Sequence, residues 1–182
     1  EDDAALDALT SILSSGKGSV FYKTFIETGI AQVASMFQVS MELAGQTMCM
    51  IRMYPGHTLS EADSLMNAAF ADFEKEGVSD DDMTRFKLSI ETYFLDDLTS
   101  VQGKGATLAA YSTFYGNPNM VAKDLNRFKK VTKEDVMRVY NKYIKGKAKV
   151  ALSVLPKGKG MAPAKPDNYV IPDHNPGAEE SA

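Results

Sequence analysis

Several residue types that build catalytic and metal sites are scarce in this chain. Its 182 residues include no tryptophan, one cysteine and two histidines. The single cysteine, Cys49, excludes an internal disulfide, and its place between two methionines in an alternating run predicts a buried thiol. His57 and Glu61 are four residues apart, which matches neither H-E-x-x-H nor H-x-x-E-H, and His174 lies among prolines. The sequence therefore predicts no zinc site.

Long apolar runs and an excess of positive charge are also missing. No apolar run reaches the roughly 18–20 residues of a membrane span. A formal net charge of −4 without a basic stripe argues against a nucleic-acid surface. The chain starts inside a helix, without Met and without a signal peptide, so we expect a piece of a longer polypeptide with a further strand upstream. The cellular compartment cannot be inferred from these features.

No catalytic constellation is present either. There is no G-x-S-x-G, and neither histidine has a Ser or Cys partner in a recognisable order. The glycine-rich stretches at 16–18 and 102–105 do not match a P-loop and predict hinges. Asp80 and Asp82 form the acidic start of a helix, and Asp96 and Asp97 are typical of a solvated helix face. The composition, 44% hydrophobic and 24% charged, indicates an ordinary globular domain.

The chain does contain a regular succession of helices and strands, which begins with its opening stretch. Residues 2–13 carry apolar side chains at helical spacing, and the Ser/Gly run that follows ends this helix. Ser19 can cap a second helix over residues 20–28, which stops at Gly29. From residue 31 the period becomes two, which predicts a half-buried strand. Its two sides carry Val33, Phe37 and Val39 against Gln32 and Gln38.

The remaining elements follow from the same patterns. Residues 46–54 predict a second strand that pairs with the first as a hairpin. Capping sequences at Thr58, Ser79 and Thr132 predict three helices. Apolar spacing predicts two more, over residues 107–115, after an interruption at Gly103 and Gly105, and over residues 121–128. Residues 148, 150, 152 and 154 alternate as a third strand. The order predicts an α+β fold, a two-layer sandwich of helices on one face of a mainly antiparallel sheet.

The second strand also offers candidate contact residues. Arg52 and Tyr54 point to one side, opposite Cys49, where they could contact a partner or peptide, although an exposed strand face explains them as well. From residue 156 onward prolines replace periodicity. We therefore expect one domain over residues 1–155 and a Pro-rich linker or tail over residues 156–182.

Motifs in a fixed order resemble the non-metal-binding domains of pitrilysin/insulinase-type zinc metallopeptidases. The opening, ALDALTSILSSGKGSVFYKTFIETGIAQVAS, is similar to the family's AL-x-x-L-x-x-ILG-x-G-x-SSRLYK-x-L-x-E-x-x-LA. The stretch that begins YPGHTLSEAD resembles a family segment with PG, GV and EL-x-RAK, and residues 82–87 stand where the family has EL-x-RAK. Residues 131–144 match VT-x-EDV-x-x-V-x-x-KYL, and residues 154–158 match V-x-PKG. The resemblance covers roughly residues 2–158.

The resemblance implies an α+β domain of a two-halved zinc metalloendopeptidase that encloses a peptide chamber. In that family H-x-x-E-H and a downstream Glu bind zinc in the catalytic domain, and this chain lacks both. It would then be a non-catalytic domain that binds no cofactor itself, lines the chamber around a peptide substrate and supports a zinc-bearing domain of the same or a partner chain. Homo-oligomers of the isolated chain are expected, and the resemblance favours the bacterial periplasm or cell envelope.

The resemblance does not transfer a substrate-binding pair. An Arg and a Tyr that hold substrate in many second-half domains align near Ile26 and Gln32, so that role is not carried over. This departure favours the domain directly after the catalytic one, with residues 156–182 as the linker between halves. Gln32 stays with Arg52 and Tyr54 as a substrate- or partner-facing candidate. The alternatives are a scaffold domain of a proteolytically dead relative and a stand-alone protein-interaction module.

Overall fold

The computed structural model describes residues 2–41, 43–158, 161–166 and 168. Within these ranges the chain forms six α-helices and two strands. Their bounds are α1 Asp2–Ser14, β1 Ala31–Ser40, β2 Gly45–Met53, α2 Leu59–Glu76, α3 Asp80–Thr99, α4 Val101–Tyr115, α5 Val121–Lys129 and α6 Lys133–Tyr143. The helices pack against a small antiparallel sheet, β1–β2, so the predicted α+β class is confirmed.

The core is built around α1. Its apolar residues recur at helical spacing and are buried against α6, α3 and β1. Two phenylalanines of the following turn, Phe21 and Phe25, stand edge to face 5.8 Å apart in the same core. From α6, Tyr140 packs against Phe73 of α2, with ring centroids 5.2 Å apart. α1 therefore lies between α6, the last helix, and the β1–β2 sheet, and contacts both.

Helix starts follow the sequence closely. Thr58, Ser79 and Thr132 each close a capping box with the acidic residue three positions later, as predicted. Ser19 also caps as expected, because its hydroxyl accepts the N–H of Tyr22 at 3.3 Å. The predicted helix over residues 20–28 is different. Beyond two helical residues it becomes a π-helical turn, Tyr22–Ile26.

The predicted interruption at Gly103 and Gly105 is wrong, because both glycines lie inside α4, which starts at Val101. The hydroxyl of Ser100 accepts the N–H of Gly103 at 2.8 Å and caps the helix. A Cβ at Gly103 would lie 1.9 Å from the carbonyl oxygen of Asp97. The glycine therefore allows the ends of α3 and α4 to approach closely instead of breaking a helix.

The predicted third strand is also absent. Residues 148–154 are neither helix nor strand, and the described sheet contains only β1 and β2. Without the hydrogen bonds of a neighbouring strand, the alternating pattern does not produce sheet structure here. The predicted boundary after residue 155 stays a prediction, and His174 lies outside the described residues. None of the described helices is both long and apolar enough to cross a membrane.

Candidate interaction surface

The two faces of the β1–β2 sheet differ in what covers them. Met36 faces the helices and is 5% exposed. Its neighbour on this face, Gln38, donates its amide group to Asp3 (3.0 Å) and Asp7 (2.7 Å) of α1. The polar side of β1 is therefore the one turned toward α1, and two carboxylates satisfy the amide there.

The other sheet face carries large apolar side chains at its centre, and these are exposed. Phe37 stands opposite Met48 in the antiparallel register, and Ser35 stands opposite Met50. Their large side chains are 41% (Phe37), 43% (Met48) and 47% (Met50) exposed. We call this the exposed sheet face. Its register positions are Val33, Ser35, Phe37, Val39, Gln46, Met48, Met50 and Arg52.

The three predicted contact residues lie at one end of this ladder. The register shifts between Ala31 and Val33, which makes Gln32 an extra residue in a bulge, and Arg52 is the partner of Val33. The N–H of Tyr54 donates to the carbonyl of Ile30 at 3.0 Å and extends the pairing one step. All three residues are exposed. Their role in substrate or partner contact stays a prediction.

Sequence reasoning missed the centre of this face. Phe37, Met48 and Met50 carry apolar side chains that normally indicate a core, and only the strand register shows that they share the uncovered side. The sequence feature that could have identified them is that β1 carries a polar side chain, Gln38, and a large apolar side chain, Phe37, on opposite sides. Gln38 and Phe37 must point in opposite directions, and the position of Gln38 is set by the aspartates of α1.

Cys49 differs from its prediction. The residue is exposed, so the expectation of a buried thiol is wrong. It lies on the helix-facing side, opposite Met36, at the outer strand of the sheet. Protein atoms around the sulfur still desolvate it and raise its pKa to about 11, although Lys149 opposes the shift. The thiol is therefore protonated and a poor nucleophile at neutral pH.

His57 pairs with a carboxylate at the start of the helix that follows it, α2. Its Nδ1 lies 3.1 Å from Oε2 of Glu61, and the same carboxylate oxygen accepts the backbone N–H of Thr58 at 3.4 Å. Glu61 thus completes the capping box of α2. Within the described ranges no group of three or more His, Cys, Asp or Glu residues could hold a metal ion.

A half-buried polar cluster joins α1, β1, α4 and α5. Arg127 contacts Asp3 at 2.6 Å and Asp124 at 2.9 Å, and the hydroxyl of Tyr111 donates to Asp124 at 2.8 Å. Burial raises the pKa of Asp7 above its ordinary value, whereas at Asp3 the bonds from Ser40, Arg127 and Gln38 overcome burial and lower the pKa. The cluster fastens α5 to α1.

Comparisons with known proteins show which solved structures share this fold. No protein-family model matches the chain, and no curated protein sequence matches it. Solved structures do match. The inactive peptidase domain of a protein assigned as a zinc protease in Bordetella parapertussis has a TM-score of 0.65 at 18% identity, covering 76% of this chain and 75% of that one.

Two longer proteins share the fold. A peptidase M16 inactive domain from Pseudomonas fluorescens gives a TM-score of 0.60 at 18% identity, over 78% of this chain and 34% of that chain. The periplasmic protease PqqL from Escherichia coli gives 0.57 at 17% identity, over 79% of this chain and 16% of that chain. The fold implied by the resemblance to pitrilysin/insulinase-type peptidases is confirmed: this chain has the fold of inactive domains of M16-type zinc peptidases.

Proposed function

We propose that this chain acts as a non-catalytic domain of a zinc-dependent peptidase. In this role it forms part of the wall of a peptide chamber and supports the zinc-bearing domain of the same or a partner chain. The observation that carries the proposal is the shared fold with domains described as inactive. The lack of a metal-binding cluster in the described residues is compatible with it.

The exposed sheet face suits the wall role. Methionine side chains are flexible and polarizable, so a face bearing Met48 and Met50 beside Phe37 can adapt to different apolar segments of a peptide. Arg52 at one end supplies a positive charge for a carboxylate of that peptide. Gln32 and Tyr54 lie at the same end. Because one structural neighbour is a periplasmic protease, the bacterial periplasm is the proposed compartment.

The decisive experiment measures zinc content and peptidase activity of the isolated chain. Zinc is quantified by mass spectrometry after dialysis, and cleavage is followed with a mixture of quenched fluorescent peptides. We expect neither metal nor turnover. Activity should appear when a purified domain that carries H-x-x-E-H is added, and an Arg52→Ala chain should then raise KM more than it lowers kcat.

Stoichiometric zinc, or cleavage by this chain alone that a chelator abolishes, would refute the proposal. His57→Ala is the matched control for that result, because His57 with Glu61 is the pair most easily mistaken for a metal site. A parent in which every zinc ligand is replaced would favour the scaffold alternative. In that case the added partner binds this chain but no peptide is cleaved.

A further inference from the structure

The part of the chain around and after the end of α6 and the helix α2 carry opposite charges. Between Asp135 and Asp167 the sequence contains eight basic residues and no acidic one. Helix α2 contains five acidic residues and a single lysine. Opposite charges attract over roughly a Debye length, about 8–10 Å near physiological salt. The basic stretch is therefore electrostatically complementary to α2.

The contacts between this stretch and α2 follow the order of the chain. Lys145, just after α6, reaches Glu74 near the end of α2 at 2.6 Å. Lys149 reaches Oδ1 of Asp63, near the start of the same helix, at 3.0 Å. Lys165 reaches Oδ2 of the same carboxylate at 3.2 Å. The chain thus passes along α2 from its last turns toward its first, and both oxygens of Asp63 bind lysines.

Residues 161–166 lie against the start of α2 through more than charge. Residues 161–163, a Met-Ala-Pro sequence, line a cavity of about 230 Å³ together with residues 57–60. One position further along, the N–H of Ala164 donates to the hydroxyl of Ser153 at 3.1 Å. This short segment therefore combines an apolar contact, a hydrogen bond and the ion pair of its lysine.

We propose that residues 161–166 are a strap that docks on the start of α2, with Asp63 as its anchor. The side chain of Asp63 is only 15% exposed and meets two lysines, whereas each lysine contact alone is weak because it is solvated. The docked and released forms of the strap therefore exchange, and Asp63 decides the balance. Lys149, followed by Lys165, lowers the pKa of Asp63, so the carboxylate is charged at neutral pH and salt is the means of release.

Docking of the strap changes where the domain ends. The prolines of the sequence predict a linker from residue 156, but a docked strap holds the backbone as far as residue 166. The docking itself does not depend on the proposed function. Its consequence for a linker between two halves of a peptidase does rest on that function, because only there does a following half move relative to this domain.

NMR relaxation of the isotopically labelled chain tests the strap. In the wild type at low salt, the backbone order parameters of the strap amides should lie near the roughly 0.85 of a rigid backbone. Asp63→Asn removes the anchoring charge, so the same order parameters should fall below about 0.6 while those of α6 stay unchanged. Asp72→Asn is the matched control, because Asp72 is an exposed carboxylate on the same helix, and it should leave the strap rigid.

Lys165→Ala repeats the test from the side of the strap and keeps the contact between Lys149 and Asp63. It should release the strap, whereas Lys157→Ala, which removes another exposed lysine of the same stretch, should not. Raising NaCl from about 0.05 M to about 0.5 M should release the wild-type strap without changing the circular dichroism spectrum. A strap that is flexible in the wild type at low salt, or rigid in both Asp63→Asn and Lys165→Ala, would overturn the proposal.

Discussion

At the scale of single residues, two aspartates one turn apart on α1 have opposite environments. Both accept a hydrogen bond from Gln38, but only Asp3 is also paired with Arg127. Asp7 is the more deeply placed, and the nearby carboxylates of Asp3 and Asp124 raise its pKa further. The charged carboxylate therefore stabilises the folded state at Asp3 and destabilises it at Asp7.

We expect Asp7→Asn to stabilise the protein at pH 7 by up to about 1 kcal/mol, after allowance for solvent screening. The asparagine keeps an oxygen for Gln38 and removes a desolvated charge. Asp3→Asn, the matched control, should destabilise by about 1 kcal/mol because Arg127 loses a partner. Urea denaturation of both variants measures the free energy of unfolding.

The two effects should disappear in different pH ranges. The folded-state pKa of Asp7 lies above its ordinary value of 3.8, so its penalty exists at neutral pH and vanishes as the pH falls through the raised pKa. The folded-state pKa of Asp3 lies below 3.8, so its contribution persists near pH 4 and is lost only at lower pH. Destabilisation by Asp7→Asn at pH 7 would contradict this account.

At the scale of elements, the first two turns of α4 contain two glycines with different roles. Gly103 faces the carbonyl of Asp97 at a distance that leaves no room for a Cβ, whereas nothing lies within 4 Å of a Cβ built on Gly105. The first glycine is required by packing, and the second only lowers helix propensity.

Gly105→Ala should therefore stabilise the protein by about 0.5–1 kcal/mol, because alanine is the better helix former. Gly103→Ala should destabilise it by more than about 1 kcal/mol, because the start of α4 must move away from the carbonyl of Asp97 in α3. Thermal unfolding followed by circular dichroism gives both values. Two variants that shift stability in the same direction would show that the close contact at Gly103 is not maintained in solution.

These glycines also show what sequence alone can predict. Helix starts were predictable, because the capping boxes at Thr58, Ser79 and Thr132 depend only on residues three positions apart. The role of Gly103 was not, because it depends on the backbone of another helix. The third strand failed for the same reason, since sheet formation at residues 148–154 requires a partner strand that local alternation cannot supply.

Sequence reasoning selected candidate contact residues only at one end of the exposed sheet face, and their role stays a prediction. Arg52 and Tyr54 stand out because polar and aromatic residues close an apolar strand, and the structure places both on the surface. The apolar centre at Phe37 and Met48 was not predictable, because an apolar side chain gives no sign of whether it faces helices or an open side.

At the scale of the whole molecule, burial is unevenly distributed. Seven residues of α1 are buried, whereas α4 has no buried residue among those described and packs mainly on α3. The apolar side chains of α4 therefore contribute little to the folded state of the isolated chain. Local opening of α4 should need much less free energy than opening of α1.

Native-state hydrogen exchange measures this difference directly. We expect the amides of α4 to exchange by local opening, at a rate insensitive to low urea concentrations, and the amides of α1 to exchange only through global unfolding. Gly105→Ala should slow exchange in α4 and leave α1 almost unchanged. Equal protection of the two helices would mean that α4 is covered in solution, for example by another molecule.

The methionines of the sheet give the domain a chemical asymmetry toward oxidants. Met48 and Met50 are open on the exposed sheet face, whereas Met36 and Met83 are enclosed in the core. Peroxide would therefore convert the outer methionines to sulfoxides first, and a thioether that becomes a sulfoxide turns from apolar to strongly polar. Oxidation would therefore make the centre of the exposed sheet face polar while the core methionines stay unchanged, and a methionine sulfoxide reductase could reverse it.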